Sequence, residues 1–288
     1  MVTSHARPGS TIVIESSVSV GMTRTLLHPF SNKFHCGMSP ERVDPGRTQP
    51  PARDIPKIIS ALSAPALISI NRIYSQAFAT VVPVPSPEVA EMTKLFENCY
   101  RMVNCAFVNE VADACVAKGI DIDEVVAAAA TKPFGFQSFK PGLGVGGHCI
   151  PINPFYLMAN NELPLLRCAT DATWARPRVA AKKFLATSEV LPRVLVIGVG
   201  FKPGEKVVDC SPGVAFAEEL KSLGCEEVAF YDPLVEQDRV PGVRKLENDA
   251  YDAESVDAAF DRVVVCIKQD QVDWTVVKRL NVDKVTWF

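Results

Sequence analysis

The stretch Phe139-Lys-Pro-Gly-Leu-Gly-Val-Gly-Gly-His-Cys-Ile-Pro-Ile-Asn-Pro154 is the most informative part of the 288-residue chain. Its four glycines allow left-handed backbone dihedrals and let a ligand approach the backbone amides closely. The glycines at 142, 144 and 147 match Gly-x-Gly-x-x-Gly, but the dinucleotide-binding fingerprint needs a strand before it and a helix after it. Here Lys140-Pro141 precedes and Cys-Ile-Pro follows, so the stretch is interpreted as a loop that presents Cys149 to a ligand.

This loop resembles the catalytic-cysteine signature of the UDP-glucose and GDP-mannose dehydrogenase family. Members of that family use NAD to oxidise the C6 alcohol of a nucleotide sugar to a carboxylate in two steps. The resemblance implies that Cys149 is the nucleophile and that Phe139, Gly144 and Gly146 contact the substrate. The alternative is that Cys149 is a buried small hydrophobe, as free cysteines usually are. Reactive cysteines occupy exposed settings, and a cysteine that closes a glycine-rich loop favours catalysis.

Before the loop, the sequence predicts a long helix from Ser86-Pro87-Glu88 to Gly119. Serine is a preferred N-cap, proline suits the first helical position, and the apolar residues that follow recur at helical spacing. A narrow polar stripe lies opposite them and comprises Glu91, Lys94, Asn98, Arg101 and Cys105.

Taken alone, such a polar stripe is most often a solvated face. However, the sequence from Glu91 to Glu110 resembles the central helix of the family. The resemblance implies that Lys94 and Asn98 donate hydrogen bonds to the oxygen that becomes negative during the reaction, a role typically worth about 10²–10³ in rate per donor. It also implies a homodimer built through this helix.

Two shorter stretches near the start also resemble the family. Ser39-Pro-Glu-Arg-Val-Asp-Pro-Gly46 is rich in turn residues, and the resemblance implies that Glu41 assists the attacking water. The alternative for Glu41 is a solvated loop glutamate. Thr11-Ile-Val-Ile-Glu15 fits a buried parallel strand and resembles the late strand of the NAD-binding domain, with Ser17 near the cofactor. Only ten residues precede it, so the chain is expected to lack most of that domain.

The segments around the loop complete the fold prediction. Residues 55–79 are compatible with a helix, Val82-Pro-Val-Pro85 is interpreted as a linker, and a helix through Val125 to Thr131 follows a cap at residues 118–124. The sequence Thr131-Lys-Pro-Phe-Gly-Phe136 resembles that of the family branch that acts on UDP-N-acetylhexosamines.

After Pro192 the pattern becomes that of a compact α/β unit. This unit resembles the UDP-binding domain of the family, in which Lys202 contacts the nucleotide sugar. The predicted parts are a strand at Arg193–Gly198, a phosphate-binding turn at Val199–Gly204, a helix from Ser211 to Leu223, and strands at Val228–Asp232 and Arg262–Ile267.

The predicted fold class is therefore α/β, with three domains. Residues 1–83 form the remnant of a Rossmann domain, residues 84–190 a central helical dimerisation domain with a long helix, and residues 191–288 a Rossmann-like UDP-binding domain.

Composition excludes several other classes of protein. The content of 48% hydrophobic and 22% charged residues supports a sizeable core, and a net charge of −3 argues against a nucleic-acid partner. Nine cysteines without a Cys-x-x-Cys pair argue against a disulfide framework and a zinc site, and favour a reducing compartment. The apolar runs are too short to span a membrane, and the first residues lack a secretory signal, so a cytoplasmic protein is expected.

Two positions depart from the family pattern. Asp209 stands where the family usually has an arginine that reaches the cofactor, and an anion there should weaken binding of a diphosphate. Asn153 stands where an aspartate is common, and an amide cannot take up a proton.

The sequence therefore predicts a UDP-N-acetylhexosamine or UDP-glucose 6-dehydrogenase that uses a cysteine thioester. The alternative is a catalytically inactive, truncated nucleotide-sugar-binding or dimerising remnant, and the chain alone is predicted not to reduce NAD. A cysteine hydrolase is disfavoured, because His148 would normally point away from its neighbour Cys149.

Overall fold

The computed structural model describes residues 2–43, 48–186 and 188–288. Contacts divide the chain into two compact units. The first unit comprises residues 1–100 and 152–163, and the second comprises residues 101–151 and 164–288. The division falls at other positions than residues 83 and 190, and the organisation into three domains stays a prediction.

The described residues form helices and strands in alternation along most of the chain. The helices are α1 Val2–His5, α2 Met22–Leu27, α3 Ala64–Tyr74, α4 Pro87–Val116, α5 Ile122–Ala130, α6 Asn153–Met158, α7 Pro164–Leu185, α8 Pro212–Ser222, α9 Ala253–Ala259 and α10 Trp274–Arg279. The strands are β1 Thr11–Ile14, β2 His35–Met38, β3 Lys57–Ala61, β4 Val81–Pro83, β5 Val194–Ile197, β6 Val228–Tyr231, β7 Arg244–Lys245, β8 Arg262–Val265 and β9 Val285–Trp287.

The sheet of the first unit has the order β1-β2-β3-β4. Strand β2 is parallel to β1 and antiparallel to β3, and β4 is parallel to β3. Gly37 allows β2, β3 and the overlying α3 to approach closely, because a Cβ atom there would lie 2.2 Å from the carbonyl oxygen of Ser60 and 2.3 Å from Ile70. The predicted strand β1 is confirmed, although it lies at the sheet edge and its residues are only half-buried.

Two expectations for the first unit are wrong. Residues 57–61 form strand β3 instead of helix, as their β-branched isoleucines favour, and the helix begins only at α3. There Ser63 accepts a hydrogen bond from the amide of Ala66 at 3.3 Å, which caps the helix. The expected linker is also wrong at its start, because Val81–Pro83 pairs with β3 as strand β4.

Helix α4 confirms the helix predicted after Ser86. It runs for 30 residues from Pro87, and the Ser86 hydroxyl accepts from the amide of Val89 at 3.4 Å. Gly119, whose φ is +64°, follows its end. Asp121 then caps α5 by accepting from the amide of Asp123 at 2.8 Å.

The second unit contains a parallel sheet with the order β7-β6-β5-β8-β9. Alternate residues of β5 enter different clusters of the core. Val194 and Val196 pack with Phe216 of α8, whereas Leu195 and Ile197 pack with Val256 of α9. A parallel sheet buried on both faces explains the continuous apolar run of β5. The predicted α/β class is confirmed, as are the strands β5, β6 and β8 and the helix α8.

Helices α6 and α7 were not predicted from the sequence. Helix α7 is 22 residues long and contains Pro177, which disguises its helical pattern. No helix within the described ranges is long and apolar enough to cross a membrane.

Candidate active-site residues

The glycine loop of the second unit is fixed at its backbone by side chains from two helices. The amide of Gly142 donates to Oδ1 of Asn109 on α4 at 2.9 Å, and its carbonyl oxygen accepts from Nε of Arg176 on α7 at 2.7 Å. At the other end of the loop, Nε1 of Trp174 donates to the carbonyl of Pro151 at 3.3 Å. These contacts hold both ends of the segment that carries Cys149.

The glycines of this loop are required by close packing within the second unit. A Cβ atom at Gly146 would lie 2.8 Å from Cβ of Phe201, and one at Gly147 would lie 2.9 Å from its ring. At Gly144, with φ of +154°, a Cβ atom would lie 3.2 Å from Pro212. The loop is therefore pressed against the turn after β5 and the start of α8.

Cys149 is exposed, so it is not the buried hydrophobe of the alternative interpretation. All nine cysteines are in the described part of the chain and are free. Burial raises the pKa of the Cys99 thiol to about 11 and also raises that of Cys266. Among these three thiols, Cys149 is the accessible one.

A cavity of about 370 Å³ lies beside the glycine loop in the second unit. Its wall includes Lys140, Gly144, Phe201 and Lys268. Two lysines and several backbone groups around a concave site are suited to a phosphorylated ligand. The predicted substrate residue Gly144 therefore lines a cavity.

The other predicted substrate residues lie near this cavity in the chain. Phe139 is half-buried and directly precedes Lys140, and Gly146 follows the lining residue Val145. Lys202 is half-buried, and its Nζ lies 5.7 Å from the centre of the Phe201 ring. Their predicted contacts with substrate stay a prediction.

Asp209 lies beside the glycine loop. Its carbonyl oxygen accepts from the amide of Gly147 at 2.8 Å, and its carboxylate lies 3.6 Å from Nε2 of His148. Both side chains are largely exposed. The acidic side chain is therefore directed to an imidazole next to Cys149.

The turn Val199–Gly204 was predicted to bind phosphate, but in the structure its amides donate hydrogen bonds to internal side chains. The amides of Val199 and Gly200 donate to Oδ2 of Asp232 at 2.9 and 3.0 Å. The amide of Gly204 donates to Oε1 of Gln269 at 2.7 Å. Because an internal carboxylate already occupies the anion position of the turn, the expectation of a phosphate site at these amides is wrong.

In the first unit, Asn98 and Asn153 form a buried amide pair. Nδ2 of Asn98 donates to Oδ1 of Asn153 at 2.5 Å, and both side chains are buried. Lys94, one helical turn before Asn98 on α4, is half-buried. Asn153 thus supplies a hydrogen-bond acceptor to Asn98 where an aspartate would supply a charged one.

The polar stripe on α4 is not simply a solvated face. Glu91 is buried, and its two carboxylate oxygens accept from the amides of Gly21 and Thr23 at 2.6 and 2.8 Å. Arg101 is exposed, whereas Asn98 is buried. Glu91 therefore has a structural role at the start of α2.

Glu41 lies after β2 in the first unit with its carboxylate half-exposed. Oε1 accepts from the amide of Val43 at 2.6 Å, and Oε2 lies 3.8 Å from Nζ of Lys57. Ser17 is half-buried after β1. The end of the predicted Glu41 motif, Asp44-Pro45-Gly46, lies outside the described residues.

Sequence reasoning missed Lys57, which starts β3 and is buried. A signal was available, because a single lysine opens the apolar run Ile58-Ile59 and lysines are rarely buried unless paired. The first unit therefore contains Ser17, Glu41, Lys57, Lys94 and Asn98.

Residues 88–168 match the central domain of the UDP-glucose/GDP-mannose dehydrogenase family. These residues form a domain of this family. The UDP-N-acetyl-D-mannosamine dehydrogenase of Pyrococcus horikoshii is 30% identical over 245 residues, which are 79% of this chain and 58% of that protein. The UDP-N-acetyl-D-glucosamine 6-dehydrogenase of Salmonella typhi is 29% identical over 286 residues, 91% of this chain and 65% of that protein.

The fold of this chain is shared by the solved structure of an archaeal relative. The structure of UDP-D-ManNAc dehydrogenase from Pyrococcus horikoshii superimposes with a TM-score of 0.84 at 26% identity. The superposition covers 99% of this chain and 69% of that one. The chain thus spans a little more than half, 58%, of the length of the archaeal relative whose sequence it matches.

The family implies NAD as the cofactor, and two glycine-led turns of this chain do not fit its pyrophosphate. The amide of Gly21, before α2, donates to the buried Glu91, and the amides of Val199 and Gly200 donate to the buried Asp232. A phosphate at either turn would have to displace a carboxylate from its hydrogen bonds. Within the described ranges, these turns are therefore not a dinucleotide site.

No group of three or more histidine, cysteine, aspartate or glutamate side chains that could hold a metal ion occurs in the part of the chain that the structure describes.

Proposed function

We propose that this chain is the sugar-binding and thioester-forming part of a nucleotide-sugar 6-dehydrogenase. The substrate would be a UDP-N-acetylhexosamine or UDP-glucose, oxidised at C6 to the uronic acid for polysaccharide precursors. The observation that carries the proposal is the exposed Cys149 on a glycine loop whose ends are held by Asn109, Arg176 and Trp174. The sequence at residues 131–136 and the names of the two relatives support the N-acetylhexosamine.

The cavity beside the loop supports the nucleotide part of the substrate. Lys140 and Lys268 on its wall are suited to neutralise a diphosphate, and its volume of about 370 Å³ lies within the range of small-molecule sites. Gly144 exposes its backbone to the cavity. Lys202 lies in the turn after β5, with its Nζ 5.7 Å from the centre of the ring of Phe201, which lines the cavity.

The proposed chemistry of this chain centres on the thioester. The thiolate of Cys149 attacks the C6 aldehyde, and oxidation of the thiohemiacetal gives a thioester. Lys94 and Asn98 donate hydrogen bonds to the oxygen that carries the negative charge. Glu41 accepts a proton from the water that releases the uronic acid. NAD is the family's hydride acceptor, and no hydride step is assigned to the residues of this chain.

A second candidate function is a nucleotide-sugar-binding or dimerising remnant without turnover. It is favoured by the pairing of Asp209 with His148 and by the two turns whose amides contact internal carboxylates. A cytoplasmic homodimer through α4 remains part of both candidates. The exposed side chains of Phe96 and Phe107, 65% and 64% accessible, support an apolar contact there.

Ligand protection of Cys149 tests the proposed function without NAD. Brief iodoacetamide treatment is followed by peptide mass spectrometry, with UDP-N-acetylglucosamine, UDP-N-acetylmannosamine, UDP-glucose or GDP-mannose present. We expect the UDP-N-acetyl sugars to slow labelling of Cys149 at least tenfold, and Lys140→Met to weaken the protection while the exposed Lys278→Met does not. Equal labelling with and without every UDP-sugar would refute the first candidate and the nucleotide-sugar-binding form of the second.

Turnover separates the two candidates. NADH absorbance is followed with saturating NAD and each UDP-sugar, for the chain as it stands and for a version fused to a family member's N-terminal domain. Protection of Cys149 without NADH formation by the fused chain supports the inactive remnant, whereas NADH formation by either chain supports the enzyme.

A further inference from the structure

Lys57 is a buried cation that faces two carboxylates in the first unit. Its side chain is 4% exposed, and Nζ lies 3.2 Å from Oε1 of Glu15 and 3.8 Å from Oε2 of Glu41. The rings of Tyr74 and Phe78 lie 5.3 and 5.4 Å from Nζ and enclose it on the apolar side. A charge removed from water in this way requires a negative partner.

The two carboxylates are held unequally. Oε1 of Glu15 also accepts from the Tyr74 hydroxyl at 2.5 Å. Partial burial raises the pKa of Glu15, but the hydrogen bonds from Tyr74 and Lys57 outweigh it, so the pKa lies below its ordinary value. Glu41 has the longer distance to Lys57, and its Oε1 accepts from the amide of Val43 at 2.6 Å. Its carboxylate is 53% exposed and open to water.

This asymmetry decides what happens when Glu41 takes up a proton. One carboxylate is enough to neutralise the ammonium of Lys57, and Glu15 supplies it at the shorter distance. Protonation of Glu41 therefore leaves no unpaired buried charge, a situation that would otherwise cost several kcal/mol. The cluster combines a counterion at the shorter distance, Glu15, with a second and more exposed carboxylate, Glu41.

We propose that Lys57 is the positioning residue of the base Glu41, and that Glu15 is the permanent counterion that lets Glu41 change charge. The inference rests on the proposed function. In the step concerned, water attacks the carbonyl carbon of the thioester on Cys149 while Glu41 accepts one of its protons. The carbon–sulfur bond breaks, the thiolate leaves and recovers a proton, and the acid is released without any oxidant.

The hydrolysis step can be measured without NAD or a nucleotide sugar. Cys149 is acetylated with p-nitrophenyl acetate, the reagent is removed, and the loss of the acetyl group is followed by intact mass spectrometry with Cys149→Ser as background. We expect Lys57→Met to slow deacylation about 10- to 100-fold, as expected when a base is displaced by ~1 Å. Lys57→Arg should restore most of the rate. Acylation of Cys149 should be unchanged and the buried cysteines should stay unacylated, which a general loss of structure would not allow.

Glu15→Gln provides a second variant at a half-exposed position, in case Lys57→Met does not fold. Lys57 would then have Glu41 as its one counterion in the cluster, and we expect slower deacylation with unchanged acylation. Glu41→Gln identifies which idea has failed. If Glu41→Gln is slow but Lys57→Met and Glu15→Gln match the unaltered chain, Lys57 does not position the base. If Glu41→Gln deacylates at the unaltered rate, the role of Glu41 in the proposed function fails, and this inference falls with it.

Discussion

Replacing Asp232 by asparagine tests the finding that the turn after β5 is held by an internal carboxylate. Asp232 is fully buried. Its Oδ2 accepts from the amides of Val199 and Gly200 at 2.9 and 3.0 Å and from Gln269 at 3.2 Å. Its Oδ1 accepts from the amide of Leu234 at 3.0 Å. One carboxylate thus satisfies four donors from three segments of the second unit.

The expected loss follows from these four bonds. An asparagine can keep its oxygen at the position of Oδ2 and retain three of them as neutral hydrogen bonds, each about 1 kcal/mol weaker than the charged ones. Its amide group would then face the N–H of Leu234, and an unsatisfied buried donor costs about 1–3 kcal/mol. Since such terms are not fully additive, we expect Asp232→Asn to lower the free energy of unfolding of the second unit by about 3–4 kcal/mol.

Tryptophan fluorescence during urea unfolding is the appropriate assay. All three tryptophans, Trp174, Trp274 and Trp287, lie in the second unit, so the signal reports on that unit. Asp238→Asn, at an exposed position six residues later, is the matched control. A free energy of unfolding for Asp232→Asn within about 0.5 kcal/mol of that of this control would refute the reasoning, because surface substitutions commonly stay within that range.

Two further predictions concern cysteine reactivity and pH. Near neutral pH, iodoacetamide should label the exposed Cys149 well before Cys99, whose pKa burial raises to about 11, and peptide mass spectrometry would show the reverse order if the loop were closed. The hydrogen bond from Arg24 holds the pKa of Glu88 at about 2 against an ordinary 4.5, although burial acts in the opposite direction. The stability from this pair is therefore present above pH 4.5 and is lost as the pH falls toward 2, so Arg24→Met should lower the melting temperature by circular dichroism above pH 4.5 and have little effect near pH 2. An effect of equal size at both pH values would contradict this assignment.

The features that the sequence predicted correctly are set by neighbouring residues. The start of α4 follows from Ser86-Pro87, and the apolar run of β5 indicates a strand buried on both faces. The exposure of Cys149 follows from the glycines around it. In each case the signal lies within a few residues of the feature.

The features that it missed depend on contacts between distant segments. Asp232 contacts a turn about 32 residues earlier in the chain, and nothing in the sequence Val199–Gly204 indicates that the amides of this turn donate hydrogen bonds to a buried carboxylate. Lys57 is buried because residues from Glu15 to Phe78 surround it. Strand β3 was mistaken for helix because a short apolar run has no distinctive period until a neighbouring strand pairs with it.

The attachment of the glycine loop to α7 restricts how its length can vary. Arg176 and Trp174 lie two residues apart on this helix, and they hold the carbonyls of Gly142 and Pro151 respectively. The segment between Gly142 and Pro151 is therefore attached at both ends to the same helix, α7. Inserting or deleting a single residue there would either detach one end or shift Cys149 along the segment, whereas substitutions at its non-glycine positions preserve its length and leave both attachments intact. Natural variation in this segment should thus consist of replacements rather than insertions or deletions.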